Sequence, residues 1–164
     1  LSRLEKSKQI KRIIKGYYQL TQNFINLEKI ITELYPDSYL SFETALANWG
    51  VLNQKPYAIT LATTRKPKKI EINDRQIEFR RIKKELFFGF DSIDNIFIAA
   101  PEKALLDQLY MISKGRANLD FKELNLKELS KTKFIKWAKK YPWPTQKLAG
   151  KLAKSFGKNI VTIK

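Results

Sequence analysis

Apolar residues recur at Leu27, Ile30, Ile31 and Leu34, the spacing of one helical face, and Pro36 closes that stretch. A second helix is predicted over residues 42–49, with Ser41 in position to cap its start and Gly50 to stop it. Residues 57–63 read as a strand, apolar at Ala58, Ile59, Leu61 and Ala62. Strands over residues 69–72 and 76–82 are joined by Asn73-Asp74, a pair suited to a tight turn. Further strands are expected over residues 86–90 and 95–99. Pro101 then opens the most apolar helix. Proline is tolerated at a first helical position, where the N–H has no partner anyway, and Glu102 suits the positive helix start. Ala104, Leu105, Leu106, Leu109, Tyr110 and Ile112 predict burial of that helix against the sheet, and Gly115 ends it.

After Gly115 the pattern gives a short helix over residues 124–129 and an amphipathic one over residues 133–141, with Phe134, Trp137 and Ala138 inward. Pro142 and Pro144 are expected to break the chain. A last helix over residues 146–156 carries Leu148, Leu152 and Phe156, and residues 160–163 form a strand or fray. At the other end, residues 1–8 read as the last turns of a helix. A β-branched run over residues 10–14 follows, then a Lys15-Gly16 turn and a returning strand over residues 17–20. Such an order, helix end and then basic hairpin, is how a winged helix-turn-helix closes. The expected fold class is therefore mixed α/β (α+β). It divides into the C-terminal part of a truncated winged helix over residues 1–22 and an α/β domain over 23–164, with a small central sheet and C-terminal helices.

Composition sharpens this picture. The 164 residues are 43% hydrophobic, enough for a packed core. No apolar run approaches the ~18 residues that a membrane span needs, so no membrane partner is expected. Cysteine and histidine are both absent. That removes disulfides, thiolate chemistry, Cys/His zinc sites and the usual general base near neutral pH. An enzyme is not expected, nor a cofactor, and the lack of cysteine fits a reducing cytoplasm.

Charge changes the picture most. Thirty-two Lys and Arg against 16 Asp and Glu leave a net +16, with an isoelectric point near 9.9. A field of that sign attracts polyanions. The cations are grouped. Arg3, Lys6, Lys8, Lys11, Arg12 and Lys15 open the chain against Glu5 alone. Residues 65–69 and 80–84 hold two more clusters, and residues 131–164 hold ten Lys and no acid. Each cluster reads either as a solvated face or as a binding surface. The candidate DNA-binding residues are Arg3, Lys6, Lys8, Lys11, Arg12 and Lys15, which would hold phosphates, and Tyr17, which would pack the wing or donate its hydroxyl.

Two other functions compete. Asp74 with Glu78 and Arg80 loosely resembles a carboxylate-plus-base nuclease core that could hold Mg²⁺. The lysine-only C-terminal surface beside Trp137, Trp143 and Phe156 suits a protein-interaction module with an acidic partner. Glu102 and Asp107 read as structural: a backbone cap, and a bond to a neighbouring loop or basic side chain.

Three short motifs occur in order. They are Ile13-Ile14-Lys15-Gly16-Tyr17-Tyr18, Ser38-Tyr39-Leu40-Ser41-Phe42-Glu43-Thr44-Ala45-Leu46, and Ala99-Ala100-Pro101-Glu102-Lys103-Ala104-Leu105-Leu106-Asp107. In this order and spacing, the stretch over residues 13–129 resembles the AbiE-type antitoxins, also described as predicted transcriptional regulators of viral defence. The resemblance implies an N-terminal winged helix joined to an antitoxin domain, and autorepression of the protein's own promoter on double-stranded DNA. It also implies a nucleotidyltransferase-like toxin as the cognate partner, countered without a stable complex. The sequence departs from that pattern before Leu1, where the first helices of the winged helix would lie.

Overall fold

Two hairpin turns set the edges of the main sheet. Asn73 and Asp74 both take positive φ (50° and 60°), as do Asp94 and Asn95 (51° and 64°). Two successive left-handed residues match the twist of a two-residue hairpin, and Asn and Asp tolerate that conformation best after glycine. The structure, a computed structural model, describes residues 10–14, 17–20 and 26–157. Among these, strands β1 (Ile10–Ile14) and β2 (Tyr17–Leu20) form an antiparallel ribbon with a bulge between Arg12 and Ile14. The expected hairpin is present; its Lys15-Gly16 turn and the expected helix end over residues 1–8 lie outside the described residues.

The remaining strands are β3 (Ser38–Leu40), β4 (Ile59–Thr63), β5 (Lys68–Ile72), β6 (Arg75–Arg81), β7 (Phe90–Ile93) and β8 (Ile96–Ala99). They form one open mixed sheet in the order β5-β6-β4-β3-β8-β7. Pairing is parallel between β4 and β6 and between β3 and β8, and antiparallel elsewhere. The central strands β3 and β4 are buried at every position, so both faces are covered and no polar alternation marks them.

Five α-helices complete the described fold: α1 (Leu27–Leu34), α2 (Phe42–Asn48), α3 (Pro101–Ser113), α4 (Lys131–Ala138) and α5 (Trp143–Ala153). Helix α1 has the expected bounds and is capped by the Asn26 side chain, which accepts from Lys29 N at 3.2 Å. Gly50 and Gly115 both take positive φ at the ends of α2 and α3, as expected of helix stops. Pro101 opens α3, and ten consecutive residues from Glu102 to Met111 are buried. Helix α3 is central as expected, but its main packing is against α2, α4 and α5, with β8 a minor contact. No helix among the described residues is long and apolar enough to cross a membrane.

The structure corrects several expectations. Residues 86–90 do not form a strand. A 3-10 turn at Lys84–Leu86 leads into an irregular linker, and pairing starts only at Phe90. The linker must cross α3 closely. Gly89 takes φ +73°, and a Cβ there would lie 3.3 Å from the Lys103 stem and 3.2 Å from the Trp137 ring. Residues 124–129 are not helical; Leu124, Leu126 and Leu129 are buried singly, and Leu124 bridges to Leu52. The helical path is interrupted before Pro142 as expected, but α5 begins at Trp143 rather than at residue 146, with Pro144 inside its first turn, where no proline N–H is needed. Residues 160–163 lie outside the described residues.

Candidate functional site

Lys103 and Asp107 stand one turn apart on α3, on the same helical face, inside a fully buried run. Neither is exposed to solvent at all. A lysine N-terminal to an aspartate is the less favourable order along the helix dipole, so helix stability does not explain the pair. Its partners do. Asp107 Oδ2 accepts from Tyr39 Oη at 3.0 Å and from Ser41 Oγ at 2.8 Å. Oδ1 accepts from Tyr141 Oη at 2.8 Å and from the Lys103 ammonium. Four donors fill the four lone-pair directions of one carboxylate.

The ammonium is equally provided for. It donates to Asp107 and to Tyr141 Oη at 2.8 Å. It also lies 5.1 Å from the Phe88 ring, 5.3 Å from Tyr141 and 5.5 Å from Tyr39, within cation–π range. Burial shifts the titrations accordingly. Loss of solvent pushes the Tyr39 and Tyr141 phenols well above their ordinary value, and the Asp107 charge pushes the same way. The Lys103 ammonium is pulled down by loss of solvent, which outweighs the opposing pull of Asp107. The cluster ties β3, the start of α2, α3 and the junction of α4 with α5 to one carboxylate. With every lone pair used and no solvent contact, it works as a structural tie.

The same tie explains a strained residue. Phe42 begins α2 with φ +56° while fully buried, a conformation that costs a bulky residue about 1–3 kcal/mol. Ser41 was expected to cap α2 with its side chain, but its hydroxyl is drawn to Asp107 and makes no cap. Thr60 takes over the fastening. Its hydroxyl donates to Ser41 O at 2.7 Å and accepts from Thr44 N at 3.1 Å. Glu102 caps a backbone N–H as expected, but that of Ser130, at 2.9 Å, rather than one of its own helix, and with Lys133 at 3.0 Å it anchors the start of α4. Asp107 behaves as expected, bonding both a basic side chain and the residue before α2.

A second charged group lies nearer the surface. Arg80 reaches Glu43 at 2.7 Å and Glu78 at 2.7 Å, and Glu78 also pairs with Lys69. Gln108 donates to Glu43 at 3.0 Å, linking this chain of charges to α3. Burial raises the Glu78 carboxyl, but hydrogen bonds from Lys69 and Arg80 outweigh it and hold the group below its ordinary value. Burial likewise works against the Arg80 charge, and Glu43 and Glu78 more than offset it. Asp74 takes no part. It sits in the β5–β6 turn, and four residues of near-extended chain put its Cα roughly 10–13 Å from that of Glu78. The geometry therefore does not gather Asp74, Glu78 and Arg80 into one centre. Among the described residues no three acids are grouped to hold a metal.

Of the candidate DNA-binding residues, Lys11 and Arg12 fall in β1, opposite Gln19 and Tyr18, and Tyr17 falls in β2 opposite Ile14. Arg3, Lys6, Lys8 and Lys15 lie outside the described residues. Among the C-terminal aromatics, Trp137 packs edge-on against Phe88 and Phe156 packs against Phe134. Trp143 alone of the three stands out, 68% exposed, with Lys147 over its ring. Sequence reasoning missed Tyr39, Ser41, Lys103 and Tyr141 as one unit. The available signal was an i,i+4 Lys/Asp pair in a helix with no polar face to receive it. No protein-family model matches the chain, and no curated protein matches it.

Proposed function

We propose that this protein is a cytoplasmic, DNA-binding autorepressor and antitoxin that counters a nucleotidyltransferase-like toxin, and that it is not an enzyme. The observation that carries the reading is the antiparallel ribbon β1–β2, with Lys11 and Arg12 adjacent in it, on a chain of net charge +16. In a winged helix such a ribbon lies along the phosphate backbone, and each cation that neutralises a phosphate releases a condensed counterion. The ordered motifs over residues 13–129 support the antitoxin half of the proposal, through their resemblance to the AbiE-type family.

A gel-shift titration of the protein on its own upstream region and on shuffled duplex tests the regulator half. Binding at low salt with preference for the upstream region is expected; equal or absent binding to both contradicts it. Co-expression with a nucleotidyltransferase-like toxin tests the other half. Restored growth is expected, and continued arrest at equal toxin level contradicts it.

A further inference from the structure

Two basic clusters that are separate in sequence meet at one end of the six-stranded sheet. Parallel pairing of β4 with β6 sets Thr63 beside Arg81, and Ile82 N donates to Thr63 O at 2.9 Å. The segments that follow these two strands therefore leave the sheet side by side. Strand β5 returns at the same end, with Lys68 opposite Phe79. Residues 65–69 and 81–84 are thus brought together by topology alone. Arg116, just past α3, lines the same groove of about 580 Å³ as Lys68, Lys69 and Arg81, over a floor that includes Phe79 and Met111.

Apart from Glu85, the acids nearby are already engaged. Asp37 takes Arg65, Glu78 takes Lys69 and Arg80, and Glu43 takes Arg80. Lys66, Lys68, Arg81, Lys83, Lys84 and Arg116 are all exposed, and none has an ion-pair partner among the described residues. Lys68 rests instead over the rings of Tyr35, at 3.7 Å, and Phe79, at 4.6 Å. Glu85 is the single acid inside these clusters and is exposed. Lys68, Arg81 and Arg116 line the open groove, Lys66, Lys83 and Lys84 lie on the adjoining segments, and folding alone does nothing to offset the repulsion among these cations. A single small anion meets one or two such charges. A phosphodiester chain, with charge repeating along its length, meets the whole set.

We propose that this end of the sheet is a second phosphodiester-binding surface, built by residues other than those of the β1–β2 ribbon. It grips the backbone of a nucleic-acid strand without reading its bases. The site goes beyond the ribbon contact and stands or falls on its own residues.

The test uses the full chain and fluorescence anisotropy on a random-sequence DNA duplex and on single-stranded RNA across a salt series. Lys68→Gln/Arg81→Gln/Lys83→Gln/Arg116→Gln is compared with Lys11→Gln/Arg12→Gln, and unfolding midpoints confirm that both variants are folded. Each lost phosphate contact lowers the slope of log affinity against log salt by about 0.9 on duplex. The expected result is a slope reduced by about 2–4, with affinity at least about tenfold weaker at low salt, for the groove variant. The nucleic acid showing the larger loss is the natural occupant. An unchanged slope in the groove variant, with loss in the ribbon variant, overturns this inference and leaves the regulator reading intact. Loss in the groove variant alone supports the inference and overturns the ribbon contact. Polyglutamate competing as well as nucleic acid, charge for charge, would overturn it in favour of an acidic protein partner.

Discussion

Lys103 and Lys83 carry the same ammonium group, and the molecule treats them in opposite ways. Lys103 has no solvent exposure and is matched by a carboxylate, a phenol and three aromatic faces. Lys83 stands in water at the end of the sheet with no ion-pair partner among the described residues. Arg80 lies between these extremes, about one-fifth exposed and paired with two acids. Desolvation explains the gradation. A charge removed from water must be fully paired or it is very costly, whereas an exposed one tolerates having no partner. Among the described residues, the cations without an acid partner therefore lie at the surface, where they are free to act on a ligand. The interior charge is balanced and fixes the fold.

Breaking the interior pair separates the two regimes most sharply. Asp107→Ala leaves the Lys103 ammonium buried and unpaired, and should lower the unfolding free energy by about 3–5 kcal/mol in urea titrations. Lys103→Met/Asp107→Leu should recover the part of that loss that comes from the stranded charge, but not the part that comes from the Tyr39, Ser41 and Tyr141 hydroxyls, which still lose their acceptor. A double variant as unstable as the single one would show that the pair's geometry, rather than its charge balance, matters. Arg80→Met strands Glu43 and Glu78 only partly from water, so a smaller loss of about 1–2 kcal/mol is expected.

Tyr141→Phe removes two hydrogen bonds, one given to Asp107 and one taken from Lys103, worth about 2 kcal/mol together, and also changes the response to alkali. The Tyr39 and Tyr141 phenols keep their protons in the folded state above the pH at which they lose them unfolded. Their stabilisation is complete below about pH 10 and is lost as the pH rises through and beyond that value. Lys103, with its affinity for protons lowered by folding, opposes this as one group against two. Alkaline unfolding followed by circular dichroism should therefore be less steep in Tyr141→Phe than in the parent chain. At the other limit, Lys83→Gln should change stability by no more than about 0.5 kcal/mol, because its contact with Leu86 is made by the backbone and its exposed side chain has no ion pair among the described residues.

The sequence revealed the local features and hid the distant ones. Helix α1, the Asn73-Asp74 turn, the β1–β2 strands and the Pro101 start depend on neighbouring residues, and spacing and turn chemistry exposed them. Strand β3 was missed because three residues buried on both faces show no alternation. The linker at residues 87–89 reads as strand from its apolar pattern, because local propensity does not register that Phe87 packs on Tyr39 of β3 and Phe88 on Trp137 of α4 and beside Lys103 of α3. The Lys103–Asp107 cluster was hidden by distance. Its tyrosine and serine partners come from 34, 66 and 68 residues away, and only the finished fold brings them to one carboxylate. The basic end of the sheet was visible as two clusters, but that they form one surface follows from the parallel pairing of β4 with β6.

The proposed division of labour gives phosphates to the surface cations and the fold to the interior pair. It is tested most directly by measuring the affinity of the intact chain for duplex DNA over a range of salt concentrations at constant pH. Steep linear weakening on a log–log plot, equivalent to several phosphates neutralised, is the expected result. A flat dependence, or no binding at the lowest salt, would contradict it.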